Sequence, residues 1–263
     1  MGRGAAPAGL YWLGLARASW LWLAPGCDGE EPGPVVTGAS TSRVEAASSP
    51  SEDGPGPLGA SASPNAADPR PEREALPVVV FLGTSLTAGY GLPEDEAFPA
   101  LIQQKIDAAG LRFRVVNAGV SGDTSAGGLR RLGWLLQLPI SVLVLELGAN
   151  DMLRGQSVKA LETNLVGILD RTRKAHPRAR FLVAGMRAAP NLGRDYARAY
   201  DATYPALAKR YDAALVPFLL EDVAAVRRLN QADGIHPTAE GHTLIADRIW
   251  ARLEPILREQ SAG

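Results

Sequence analysis

Val78–Gly91 reads V-V-V-F-L-G-T-S-L-T-A-G-Y-G. The apolar run ends at Gly83, and Ser85 follows two positions later at the head of a loop of small residues. A strand buried on both faces of a parallel sheet is a short continuous apolar run, and in open α/β sheets chemistry gathers just beyond the carboxyl ends of such strands. Ser85 therefore stands where a nucleophile would. The same residues also fit a helix start in which Thr84 and Ser85 only cap the following turn. This stretch alone leaves both readings open.

Toward the C-terminus, strand-like runs alternate with amphipathic segments. Phe98–Ala109 places Leu101, Ile102 and Ile106 at helical spacing, with Gly110 as its stop. Phe113–Asn117 predicts a second strand, which runs into N-A-G-V-S-G-D-T-S before a helix through Leu129–Leu136. Ser141–Leu147 predicts a third strand, ending at Gly148-Ala149-Asn150-Asp151. A helix over Val158–Ala175, a strand over Arg180–Met186, a helix over Tyr196–Tyr211, a short strand Ala214–Val216 and a final helix Thr238–Leu257 complete the series. This alternation predicts an α/β domain, a three-layer α/β/α sandwich around a parallel five-stranded sheet. With the common strand order 2-1-3-4-5, Ser85 and Asn150 would face each other across the switch point.

Upstream the chain changes character. Residues 1–27 carry Arg3, an apolar stretch Leu10–Leu23 and Ala24-Pro25-Gly26-Cys27, the pattern of an export signal too short to span a bilayer comfortably. The small residues before Cys27 resemble a bacterial lipoprotein cleavage box, which would make Cys27 a lipid-bearing terminus and a membrane tether. Pro25 inside the box and Arg17 inside the apolar run depart from that pattern, and an ordinary cleaved signal fits the same residues. The expectation is an exported protein, periplasmic or membrane-anchored, or else secreted. Residues 28–77 hold nine prolines and no aromatic residue. They cannot bury enough apolar surface to offset ordering and read as a disordered linker. The expected organisation is signal 1–27, linker 28–77, folded domain 78–258 and a tail 259–263.

With 27 basic against 28 acidic residues and no Lys/Arg cluster, nothing predicts nucleic-acid binding. A single cysteine excludes an internal disulfide and a Cys-rich metal site. No cofactor or metal is expected. Of the three histidines, His176 in K-A-H-P-R reads as a helix end, and His242, inside the last helix, as a half-buried or surface residue. His236 stands in A-D-G-I-H-P, a turn through Gly234 with Asp233 three residues upstream. Such a turn can set the carboxylate on one imidazole nitrogen and leave the other free as a base. It can equally be a local turn and helix-cap pair.

Taken together, Gly83-Thr84-Ser85-Leu86, Gly122 in S-G-D-T-S, Asn150 in G-A-N-D and Asp233/His236 in D-G-I-H-P resemble the four blocks of the SGNH (GDSL-type) esterase and lipase family. The resemblance spans Val78–Leu257 and is closest to the small bacterial arylesterase, thioesterase I and lysophospholipase group. It implies a flavodoxin-like sheet, Ser85 as nucleophile, His236 as base, Asp233 as its orienter, and an oxyanion hole from the Ser85 and Gly122 N–H groups and the Asn150 amide. The substrates it implies are small aryl or acyl esters, thioesters or lysophospholipids, hydrolysed through an acyl-enzyme. Thr84 departs from the pattern, because the family usually has Asp before the nucleophile.

Asp123 is expected to accept backbone N–H groups in its loop, and Asp151 to anchor the turn after the third strand. Arg154 and Gly155 would either flank an acyl pocket or lie on plain surface, and Met186–Tyr204 would line the pocket's other side. Two other activities compete: a carbohydrate O-acetylesterase on the same fold, and a tethered, non-catalytic module for glycan or lipid. A phosphate-binding loop is excluded, because the glycines after the first strand lack G-x-x-x-x-G-K-[ST] and a third glycine at nucleotide-binding spacing.

Overall fold

A computed structural model of the chain describes residues 75–262. The export segment, Cys27 and the linker as far as residue 74 lie outside the described residues.

Five parallel strands, β1 (Val78–Gly83), β2 (Arg114–Gly119), β3 (Ile140–Glu146), β4 (Arg180–Ala184) and β5 (Ala214–Val216), form one sheet in the order β2-β1-β3-β4-β5. All six residues of β1 are buried, as its unbroken apolar run requires of a strand covered on both faces. Among the described residues, seven α-helices accompany the strands: α1 (Ser85–Ala88), α2 (Phe98–Ala108), α3 (Ser125–Leu135), α4 (Ala149–Leu153), α5 (Val158–Ala175), α6 (Arg194–Tyr211) and α7 (Ala239–Ala262). α2 packs on α7, and α3 and α6 each pack on α5. The helices press Ile102, Ile106, Leu132, Leu165, Leu207, Ile245 and Ile249 onto the sheet.

Register places the site. Gly83 at the end of β1 pairs with Gly119 of β2 on one side and Glu146 of β3 on the other, so three strand ends finish in one row. Two of these positions admit no side chain. A Cβ on Gly119 would lie 2.2 Å from the Ala88 nitrogen, and one on Gly83 would lie 1.9 Å from Thr87 Oγ1. α1 can therefore fold directly onto the end of the sheet.

Several boundaries differ from expectation. β2 runs two residues past Asn117, because its pairing with β1 continues to Gly119. β4 stops at Ala184, where the Gly185 N–H turns to the Val216 carbonyl. α3 begins at Ser125 rather than Leu129, since Thr124 caps it by accepting from the Gly127 N–H. α7 continues past Leu257 to Ala262, held by Glu259 on Arg180 and Gln260 on Ser141. His242 is buried, not half-buried or exposed: its Nδ1 accepts the Phe98 N–H at 3.0 Å and its ring stacks on Phe98. It thereby joins α7 to the start of α2, and burial lowers its pKa to about 4.

Candidate active site

The turn after β1 is made by Thr84, which sits in an extended conformation and caps α1 by accepting the Leu86 N–H. Ser85 is thus the first residue of a short helix, where backbone N–H groups have no partner within the helix. Its hydroxyl lies 3.0 Å from His236 Nε2, across 151 residues of sequence. On the other face of the imidazole, Nδ1 lies 2.6 Å from Asp233 Oδ2. The Asp233 Oδ1 atom accepts the backbone N–H groups of Ile235 and His236 at 2.9 and 3.0 Å. The hydrogen bond with the imidazole, helped by these two amides, lowers the Asp233 pKa to about 2, so the carboxylate stays ionised near neutrality. Gly234 supplies the positive φ of 69° that turns the chain between them.

The other two strand ends bring the remaining sequence-predicted residues. Gly122, at φ 76°, lies in the loop after β2. Asn150 opens α4 after β3 and donates from Nδ2 to the Asp123 carbonyl at 2.8 Å. Arg154 donates to the Gly122 carbonyl at 2.8 Å, so it bridges the two loops from an exposed position. Asp151 is fully buried and accepts both the N–H and the hydroxyl of Ser125, at 2.8 and 2.5 Å. It ties its turn to the start of α3. Asp123 departs from expectation, since its carboxylate holds the Arg131 guanidinium at 2.7 Å instead of backbone N–H groups.

The segment Met186–Tyr204 also differs from its expected role. Tyr200 and Tyr204 do not line a pocket; they are buried beneath the loop after β3, with the Tyr204 hydroxyl 3.2 Å from the Leu147 carbonyl. Gly148, at φ 124°, makes room for it, because a Cβ there would lie 2.2 Å from the Tyr204 oxygen. Tyr196 donates to the Gln156 carbonyl and the Ala189 N–H meets the Met152 sulfur, so α6 and its leading loop brace Leu147–Gln156 from below.

Sequence reading missed Glu146. It is 1% exposed and accepts from the Thr84 N–H at 2.9 Å, the Thr84 hydroxyl at 3.1 Å and the Thr87 hydroxyl at 2.7 Å. Burial raises its pKa to about 6, against the opposing pull of these donors. The available signal was one acidic residue inside the apolar run S-V-L-V-L-E-L.

Around the site, Tyr90, Val120 and Ile235, each from a different loop, and Leu153 at the end of α4 are exposed at the carboxyl edge of the sheet. The Tyr90 ring centre is 4.6 Å from that of His236. A separate cleft of about 690 Å³, lined by Pro77, Ser141, His176, Arg178 and Gln260, lies at the opposite edge and shares no residue with this constellation.

A serine beside an aspartate-supported imidazole, beyond the carboxyl edge of a parallel sheet, is the constellation of serine hydrolases. The chain belongs to the GDSL-like lipase/acylhydrolase family, whose pattern matches residues 81–244. It is similar to Esterase TesA of Pseudomonas aeruginosa, 38% identical over 187 residues that cover 71% of this chain and 92% of that protein. It is likewise similar to thioesterase 1/protease 1/lysophospholipase L1 of Escherichia coli (strain K12), 41% identical over 189 residues, 71% of this chain and 88% of that one. The crystal structure of TesA superposes with a TM-score of 0.65 at 39% identity, covering 68% of this chain and 99% of that chain.

Proposed function

We propose that the chain hydrolyses small aryl and acyl esters, acyl thioesters and lysophospholipids through a Ser85 acyl-enzyme. The observation that carries this reading is the Ser85–His236–Asp233 alignment, at 3.0 and 2.6 Å. Ser85 Oγ attacks the carbonyl carbon while its proton passes to His236 Nε2, and Asp233 balances the imidazolium from the Nδ1 side. The carbonyl oxygen becomes an oxyanion, received by the Ser85 and Gly122 N–H groups and the Asn150 amide. His236 returns the proton to the leaving alcohol or thiol as the C–O or C–S bond breaks. Water then attacks the acyl-enzyme with His236 again as base, releasing the acid and restoring Ser85. The exposed apolar rim of Tyr90, Val120, Leu153 and Ile235 supports an acyl or aryl group over a polar sugar.

A fluorophosphonate probe should label the protein and not Ser85→Ala, and a panel of p-nitrophenyl acyl esters, acyl-CoA, lysophospholipid and acetylated sugars should rank the first three above the last. Absence of label on folded protein would reject the enzyme reading, and preference for acetylated sugars the substrate class. Export with lipid attachment at Cys27 belongs to the same proposal, supported by the sequence of residues 1–27. Expressed in a bacterial host, the protein should fractionate with membranes and Cys27→Ser should not.

A further inference from the structure

We propose that Arg131 and Glu146 are positioning residues that clamp the Gly83–Thr84 peptide, the unit immediately before the nucleophile, and so hold Ser85 in register with the oxyanion loops. The inference rests on Ser85 being the nucleophile.

Both ends of this peptide are held by charged groups. Its carbonyl oxygen, on Gly83, accepts from Arg131 Nη2 at 3.0 Å and from the Val120 N–H at 3.0 Å. Its N–H, on Thr84, donates to Glu146 Oε2 at 2.9 Å. A guanidinium on the oxygen and a carboxylate on the hydrogen both act along the peptide dipole, and charge-assisted bonds of this kind are roughly twice as strong as neutral ones. Rotation of the peptide would break contacts on both sides at once.

The clamp continues into the other half of the site. Arg131 Nε holds Asp123 Oδ2 at 2.7 Å, and the Asp123 carbonyl accepts from Asn150 Nδ2 at 2.8 Å. A continuous path of hydrogen bonds and covalent links therefore runs from the peptide before Ser85 to the amide assigned to the oxyanion. Arginine suits this position because its planar fork reaches two acceptors in fixed directions, which a lysine cannot do.

Glu146 makes the case sharper. Among the described residues it has no cation within ion-pair distance, only the amides and hydroxyls of Thr84 and Thr87. A buried carboxylate with no counter-charge costs more than an apolar side chain of the same size, so space-filling does not account for it. Thr84 explains how it is tolerated. Its hydroxyl donates to Glu146 and accepts the Leu86 N–H, where a carboxylate would set a second negative charge against the first.

The test uses the full chain as wild type, Arg131→Met, Arg131→Lys, Glu146→Gln, the Arg131→Met/Glu146→Gln double variant and Ser85→Ala. Kinetics are measured on p-nitrophenyl butyrate, active sites are counted with a fluorophosphonate, and folding is followed by thermal melting. Arg131→Met should lose about 10- to 100-fold in kcat per labelled site with KM within about twofold, because misplacement by a fraction of an ångström acts on chemistry rather than binding. Arg131→Lys, which keeps the charge without the fixed fork, should fall between. The double variant should lose no more than about its worse single parent, since both residues act on one peptide. A folded Arg131→Met with wild-type kcat overturns the clamp, as does a double loss equal to the product of the singles. Arg131 is partly exposed, so its variants decide the matter if Glu146→Gln does not fold. Loss of hydrolysis in Ser85→Ala with wild-type turnover in Arg131→Met rejects the clamp and keeps the nucleophile; continued hydrolysis by Ser85→Ala rejects the nucleophile itself.

Discussion

Asn150 commits one amide hydrogen to the Asp123 carbonyl, which leaves its second for the oxyanion of the proposed mechanism. Asn150→Ala should lower kcat by about 100- to 1,000-fold with little change in KM or melting temperature, as steady-state kinetics on a p-nitrophenyl ester will register. His242 carries a different prediction. Its pKa falls from 6.5 to about 4 on folding, so the unfolded chain binds the proton more readily and stability drains away as pH falls from about 6.5 toward 4. Glu146 opposes it: with a pKa raised from 4.5 to about 6, it costs stability above pH 6 and that cost is relieved as pH falls toward 4.5. The two amount to about 3 and about 2 kcal/mol, which flattens the acid limb. His242→Gln removes the first alone, so between pH 7 and 4.5 its urea stability should gain about 2 kcal/mol relative to wild type, most of the full effect. The candidate residues Ser85, Gly122, Asn150, Asp233 and His236 were legible because each lies in a short motif at a strand or helix end. Arg131, Glu146 and Tyr204 were not, because each acts through a partner 48 to 62 residues away that only the fold supplies.

At the level of elements, the long amphipathic helices and apolar strands could be read closely, and α5 and β5 match their expected limits. α4 escaped and α1 showed only as a cap at Thr84, since four or five residues are too few to display a helical period. Yet these two short helices present Ser85 and Asn150. They hold their shape through contacts from other elements: Gly119 and Glu146 against α1, Tyr204 and Ser125 around α4. Gly148→Ala tests this bracing. A Cβ there meets the Tyr204 oxygen at 2.2 Å on a backbone with φ 124°, so the variant should lose about 3 kcal/mol in denaturant unfolding. Gly148→Ala paired with Tyr204→Phe should recover part of that loss by removing the oxygen while leaving the strain.

For the whole molecule, the alternation of strands and helices announced a parallel sheet, and the order β2-β1-β3-β4-β5 puts β1 and β3 side by side with their ends level. Strand order was assumed from its commonness, because nothing local in a sequence encodes which strand pairs with which. The described chain starts and stops at the same edge. Pro77 bonds to Arg114 at the beginning of β2, while Gln260 reaches Ser141 at the beginning of β3. Ser85 and its partners lie at the far edge, a full strand length away. Either end therefore makes a handle that does not touch the working face. Coupled closely to a bead, a film or a fusion partner through residue 75 or residue 262, the domain would turn the edge that carries the candidate site outward, toward dissolved substrate and away from its support.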